Sequence, residues 1–593
     1  MYVNVHLRAI TGFYREGIAR MSDIKAEPLP GDAHWHSEIE APLAIDDADL
    51  MQWDFAADVV IVGYGGAGVS AALEAREQGL TVLAIDRTEG GGATRINGGI
   101  FYGGGGTPAQ QEAGVEDTAE DMFRYLQLET QGVVRDDTLQ RFCDTSAETA
   151  RWLASHGVRF EGRLYAKKTS YPHTDYSLYH SDNSLAPDYK AVAKPAARGH
   201  RALVDKLDAP MGYGKGLYDP LRASADRAGV ECLSSTKVRQ LVMDRSGRVV
   251  GVSAIQIPAD TKEGQRHAAL IRQASAIVLR LPPAMPFAGL LARRAARLFA
   301  KAKELEQRIG IKRLVLARRG VCLSAGGFIF NRDMVAHYAP KYLKGMPLGT
   351  PGDDGSGIRL GQSVGGAVSR LHHASAWRFI NPPIAWAQGM VVNRKGQRYV
   401  NEMLYGASIG MPMVEQNDGV GWIVLDDEQF RKAKAQARSK AILPFQGYPA
   451  LAAMLLGSKK AATLTALAGK CGIDPAGLEQ SVADYNRLAD SGDRDPFGKA
   501  NEDIAPVRKA PFHAVNMSID AKLGFLPVLT LGGLKVDEDS GAVLGQQGLA
   551  IPGLYAAGRT AVGICSNIYV SGLSVADCVF SGRRAARSMA EAV

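Results

Sequence analysis

The chain has 593 residues, 46% of them apolar and 22% charged, an ordinary balance for a soluble globular protein and too long for one compact core, so two or three domains are expected. No run of about 18 apolar residues occurs, which argues against a membrane-spanning helix. The net charge of +7 is uneven: residues 261–320 hold fourteen Lys/Arg against three Glu, so the remainder is slightly acidic, and with no nucleic-acid motif beside that segment a nucleic-acid partner is not expected. In chain order, residues 1–56 read as a polar N-terminal extension without the apolar stretch of a signal peptide, and Met21 offers an alternative start. Residues 57–62 predict a short strand, 69–78 an Ala-rich helix closed by Gly79, and 81–85 a second strand ending at Asp86. Residues 115–157 are helical in pattern, with Trp152 and Leu153 facing inward. Residues 236–257 predict a hairpin, and 314–323 a further strand. The six cysteines are scattered without a C-x-x-C pair, which argues against a disulfide framework or a metal site and fits a reducing cytosol.

Gly63-x-Gly65-x-x-Gly68 follows the first strand and opens the helix. The glycines permit a tight turn, let a pyrophosphate approach the backbone and pack helix on strand, while the helix N-terminus favours the anion. Asp86, at the end of the next strand, is placed to accept the ribose hydroxyls of an adenosine and disfavours a 2′-phosphate. Further glycine loops at 90–99, 352–355 and 558 touch the whole length of the chain. A long dinucleotide visits many loops, so FAD is favoured over a nicotinamide cofactor.

Several motifs recur in one order. They are Gly63-x-Gly-x-x-Gly68, Gly91-Gly-Ala-Thr94, Ser324-Ala-Gly-Gly-Phe328, Gly352-Asp-Asp-Gly355, Asn393-x-x-Gly-x-Arg-Tyr-Val-Asn-Glu402 and Ala557-Gly-Arg559. Together they resemble the fumarate reductase/succinate dehydrogenase flavoprotein superfamily over residues 57–593, the basic segment excepted. The resemblance implies an α/β fold: a Rossmann-like FAD-binding domain with an inserted α+β catalytic cap. It divides the chain into a first FAD-binding part (57–370, with a basic amphipathic insertion at about 258–313), a cap (371–512) and a second FAD-binding part (513–593). It implies non-covalent FAD, since no histidine lies between Gly90 and Gly106. The cofactor would be held by Gly63, Gly65, Gly66, Ala67 and Gly68, by Asp86 and Arg87, and by Gly92, Ala93, Thr94, Gly98 and Gly99. Ala325, Gly326 and Asp354, then Gly558, Arg559, Gly572, Leu573 and Ser574, complete that set.

The departures from the superfamily narrow the substrate. The dicarboxylate-binding arginine before the final helix aligns with Tyr569, and the acid-donating arginine of the cap aligns with Gly406. Burying carboxylates without fixed cations is costly, so a neutral, apolar ketone is expected. Ala557-Gly-Arg-Thr560 with Tyr569-x-Ser571-Gly572 resembles the 3-ketosteroid dehydrogenases, nearest the Δ4-(5α) type. That resemblance implies that Tyr569 hydrogen-bonds the C3 oxygen, that Ser571 takes the C4 proton and that the C5 hydrogen leaves as hydride to the flavin. Tyr405 is the candidate relay for Ser571. Tyr102, Tyr171 and Tyr179 are read as structural. A Δ1-dehydrogenase, the reverse reduction of a 4-ene-3-ketone, a fumarate-type reductase and a flavin-binding protein without turnover remain open. The expected partners are a steroid and an electron acceptor that the sequence does not identify. The expected location is the cytoplasm. Residues 282–308, a basic amphipathic stretch with Leu290, Leu291, Leu298 and Phe299 near one face, are read either as a peripheral membrane contact or as a helix packed on its own domain.

Overall fold

A 13-residue strand organises the fold seen in the computed structural model, which describes residues 39–592 apart from 206–211 and 281–287. The alternative start at Met21 and most of the N-terminal extension lie outside the described residues. The predicted βαβ unit is β1 (Phe55–Val62), α1 (Gly66–Glu77) and β2 (Val82–Ile85). It is followed by β3 (Glu231–Leu233) and by a hairpin of β4 (Thr236–Met243) and β5 (Val249–Gln256). The helices α2 (Lys262–Arg280) and α3 (Ala288–Ile309) come next, then the long strand β6 (Ile311–Leu323).

β6 pairs with β1 in parallel along one edge. Its other edge is shared: Ile311–Leu316 face β5 in antiparallel register, and Val321–Leu323 face the C-terminal strand over residues 554–556 in parallel. The second half of β1, Val59–Val62, and all of β2 are runs of Val, Ile, Leu and Ala buried on both faces, as parallel strands covered by helices on each side must be.

A second sheet forms from β7 (Met390–Val392), β8 (Trp422–Leu425), β9 (Ser458–Ala461) and β10 (Phe512–Asn516), with antiparallel pairing in the order β7-β8-β10-β9. Its side chains alternate between two cores. Ile423 and Leu425 face one, Trp422 and Val424 the other, the period of two that a pleated strand imposes. The sheet runs to Asn516, past the expected boundary at 512. The helix α4 (Gly406–Gln416) lies in the loop between β7 and β8.

The chain then returns through β11 (Ala550–Ala556) to the helix α5 (Leu573–Glu591). α1 and α5 pack closely: a Cβ at Gly582 would lie 2.4 Å from the Ala67 carbonyl oxygen. Buried Glu74 of α1 accepts from Arg583 Nε (2.6 Å) and Arg587 Nε (2.7 Å) of α5. Burial alone would raise the Glu74 carboxyl; the two guanidiniums outweigh it and hold the group below the usual carboxylate range. Two helices far apart in the sequence are thus locked together, each starting at one of the predicted cofactor turns.

The basic segment forms a helical hairpin. Ala295, Ala302 and Leu305 of α3 are buried, Leu291, Leu298 and Phe299 half-buried, and Leu290 exposed. Much of the apolar face available to a bilayer is therefore turned into the protein. No helix among the described residues is long and apolar enough to cross a membrane.

Candidate active site

A cavity of about 1670 Å³ extends from the glycine turn after β1 to the helices that flank the second sheet. At its first end the wall is mainly backbone. Gly63 has φ +96, and a Cβ there would lie 2.6 Å from Ala325 Cα; only glycine takes both the conformation and the approach. A Cβ at Gly68 would lie 2.2 Å from the Gly63 carbonyl oxygen, so the helix starts flush against the turn. Thr94 Oγ1 accepts from the Gly66 N–H (3.1 Å), drawing the second glycine loop over the first. Asp86 is fixed by three donors: the Tyr64 N–H (2.9 Å), the Thr88 N–H (2.8 Å) and the Thr88 hydroxyl (2.7 Å). Two ion pairs brace the wall, Arg87 with Asp354 (2.6 Å) and Arg559 with Asp353 (2.7 Å). Arg559 Nη1 is buried without a partner, a donor left for an anionic ligand.

At the other end the wall is made of side chains. Tyr569 stacks on Trp377, with ring centroids 4.5 Å apart and planes 28° apart. Tyr405 lies 6.4 Å from Tyr569, and Phe379 sits edge-on to Tyr405 at 5.9 Å. Leu348, Phe525, Pro527 and Leu529 extend the apolar surface. Ser571 enters this box: its hydroxyl lies 3.2 Å from the Tyr179 hydroxyl, and its backbone is clamped by Ser181, whose hydroxyl donates to the Ser571 carbonyl (3.1 Å). Burial pushes the Tyr405 and Tyr569 phenols up, with the Ser571 hydroxyl opposing it at Tyr405 and the Gly572 backbone at Tyr569. Both remain protonated donors near neutral pH.

The cavity wall includes Gly63, Gly65, Gly66, Ala67, Asp86, Arg87, Gly92, Ala93, Thr94, Gly98, Ala325, Gly326, Gly558, Arg559 and Ser574, as well as Tyr405, Tyr569 and Ser571. Gly68, Gly99, Gly572, Leu573 and Asp354 stand behind it. Gly99 and Gly572 have positive φ and approach the Tyr213 and Tyr102 backbones too closely for a side chain. Of the paired aspartates, Asp353 faces the cavity, while Asp354 bonds Arg87 and the Ser356 N–H (3.0 Å). Sequence reasoning passed over Asp353, Trp377, Phe379, Arg378 and the contact of Tyr179 with Ser571. The Gly-Asp-Asp-Gly motif and the Trp377-x-Phe379 alternation were the available signals; nothing in the sequence linked Tyr179 to Ser571 across 392 positions.

Position 406, which aligns with the superfamily's acid-donating arginine, has little room for a side chain in this fold. A Cβ at Gly406 would lie 2.8 Å from Phe379 Cδ1 and 3.2 Å from the Arg378 backbone. One guanidinium, that of Arg378, lines this end of the cavity. Its Nη1 donates to the Gly524 carbonyl (2.8 Å) and its Nη2 to the Ser518 carbonyl (3.2 Å), and burial lowers its pKa to about 10. It braces the 518–525 loop. Glu402, the glutamate of the cap motif, is fully buried between Arg398 (2.8 Å) and Lys499 (3.1 Å) and accepts from the Val391 N–H (2.9 Å); it is a structural hub.

Glycine turns, an anchored carboxylate at the end of the second strand and a helix N-terminus around one long cavity fit a dinucleotide flavoprotein. The FAD binding domain model matches residues 58–572, and the chain belongs to that family. It is 38% identical over 524 residues to the 3-oxo-5-alpha-steroid 4-dehydrogenase of Comamonas testosteroni, covering 87% of this chain and 95% of that protein. Among solved structures it is similar to the 3-ketosteroid-Δ4-(5α)-dehydrogenase of Rhodococcus jostii RHA1 in complex with 4-androstene-3,17-dione. There the TM-score is 0.76 at 29% identity, covering 93% of this chain and all of that one. The 3-ketosteroid Δ1-dehydrogenase of Sterolibacterium denitrificans shares the fold at 20% identity and a TM-score of 0.61. FAD is accordingly the cofactor, and the orphaned Arg559 donor and the closed glycine turns suit its pyrophosphate.

Proposed function

We propose that this protein is an FAD-dependent 3-ketosteroid dehydrogenase that introduces a Δ4 double bond into 3-keto-5α-steroids. The observation that carries the reading is the box of Trp377, Phe379, Tyr405 and Tyr569, with Ser571 at its edge. It offers hydroxyls and aromatic faces, and the guanidinium at this end, that of Arg378, is engaged by the Gly524 and Ser518 carbonyls, where a diacid would need paired cations. Apolar walls suit a fused-ring skeleton, and burying such a surface contributes roughly 25 cal/mol per Å².

The Tyr569 hydroxyl donates to the C3 ketone oxygen and stabilises the negative charge that builds there as C4 loses its proton; one such donor is worth about 3–4 kcal/mol. Ser571 takes the C4 proton as it gives its own to a neighbouring phenol, Tyr179 at 3.2 Å or Tyr405 beside it, and that phenol releases its proton in turn, so that the proton leaves to solvent and each hydroxyl ends the step protonated. A serine hydroxyl is a weak base alone, so this relay is what makes it competent. FAD, when bound, supplies the acceptor for the hydride that leaves C5. The N-terminus of α5, with Ser574 and Val575 in the cavity wall, directs its positive end into the cavity and favours negative charge there. The segment from residue 371 to the end of the second sheet acts as the cap that closes the substrate end and excludes water. An electron acceptor completes the cycle.

Anaerobic titration tests the reading. With 5α-androstane-3,17-dione, about one equivalent per flavin should bleach the visible absorbance of the oxidised protein. Bleaching by succinate at a comparable rate, or none by the steroid, would reject it.

A further inference from the structure

β5 and β6 are hydrogen-bonded neighbours, with Gln256 opposite Ile311. A short turn would suffice to join them, yet the chain departs there to build the α2–α3 hairpin. That hairpin is part of the cavity wall: His267, Ile271 and Ser275 of α2 and Phe299, Lys303 and Glu306 of α3 line it together with Asp86 and Arg87. The two helices are clasped at this point. His267 Nε2 and Glu306 Oε1 are 2.9 Å apart. His267 is only 4% exposed, and its Nδ1 is buried without a partner. Burial alone would raise the Glu306 carboxyl; His267, Lys237 and Arg87 together hold it below its usual range, and Glu306 and Arg87 line the same cavity. Arg272 Nη1 lies 3.8 Å from Glu89 Oε1, in the loop after β2. Val238 of β4 and Ile255 of β5 also line the cavity. The result is a slot with apolar walls and a polar rim, continuous with the Asp86 end of the cavity.

We propose that the α2–α3 hairpin is a lid on the adenosine half of the FAD. Phe299 and Ile271 cover the adenine ring against Val238 and Ile255, and the His267–Glu306 pair closes the ribose end. The dehydrogenase reading needs no such lid; the proposal rests only on FAD as the cofactor. A pre-formed cover on a planar apolar group removes its surface from water without a large ordering cost, so its effect falls on cofactor release.

The test measures release of flavin from the holoenzyme by recovery of its fluorescence on dilution. The full chain is compared with a variant in which a short Gly-Asn turn replaces residues 258–310, and with Phe299→Ala and His267→Ala. FAD should leave about tenfold faster or more from the deletion variant and a few-fold faster from each point variant. The same proteins loaded with FMN, which lacks the adenosine, should release it at one common rate. Unchanged FAD release in all three variants, or equal acceleration of FMN release, would overturn the lid. If the deletion variant does not fold, the two point variants decide. Steroid-dependent bleaching of the unmodified protein is independent of these rates, so failure of the lid and failure of the dehydrogenase assignment are read separately.

Discussion

The two ends of the cavity are built by different means. The cofactor end is shaped by backbone: glycines that admit no Cβ, a carboxylate held by three donors, and ion pairs that brace the loops. The substrate end is shaped by side chains drawn from residues 179, 377–379, 405 and 569–571, which meet only in the folded chain. The backbone-built site tolerates little change at Gly63, Gly66 or Gly68, where a Cβ would lie within 2.6 Å of a neighbouring atom. A site built from side chains is graded: each hydroxyl or ring can be removed at its own cost.

Gly68→Ala should give the largest effect. The new methyl would overlap the Gly63 carbonyl oxygen, at 2.2 Å, so the purified protein should be colourless, read from its visible spectrum. Retention of full flavin content would break the contrast between the two ends. Tyr569→Phe comes next. It keeps the ring that stacks on Trp377 and removes only the hydroxyl, so flavin content should be normal while kcat falls by a factor on the order of 100 to 1000. Because burial holds this phenol protonated, the unmodified enzyme should show no loss of kcat from its ionisation up to about pH 10. An alkaline limb below that pH which disappears in Tyr569→Phe would contradict the assigned environment. Tyr179→Phe sharpens the picture of the relay: with the neighbour of Ser571 gone but Tyr405 in place, kcat should drop about tenfold with little change in KM. No change at all would leave Tyr405 as the sole relay partner.

The same contrast explains what could be read in advance. The βαβ unit, the hairpin at 236–257 and the glycine loops are local: each is a run of apolar residues or a short turn whose chemistry is complete within a few positions. The cap came from the resemblance and its strands stayed unread, because strands as short as Met390–Val392 leave no periodicity to count. Asp353 and Asp354 stand side by side, and only the folded chain shows that Asp353 lines the cavity while Asp354 stands behind it, bonded to Arg87. Tyr179 was legible as a structural tyrosine and no more; its link to Ser571 is a product of tertiary packing. Basic helices such as α3 carry the same apolar stripe whether it faces a bilayer or a neighbouring helix, so burial of Ala302 and Leu305 had to come from the fold.

The central claim is that a neutral ketone, gripped by hydroxyls in an aromatic box, is what this site activates. The most direct measurement compares the rate of flavin reduction under single-turnover conditions by 5α-androstane-3,17-dione and by 5α-androstan-17-one, which keeps the ring skeleton but lacks the C3 carbonyl. The account predicts rapid bleaching by the first and none by the second, since without the carbonyl neither the Tyr569 donor nor the acidified C4–H has a role. Comparable reduction by both compounds would contradict it.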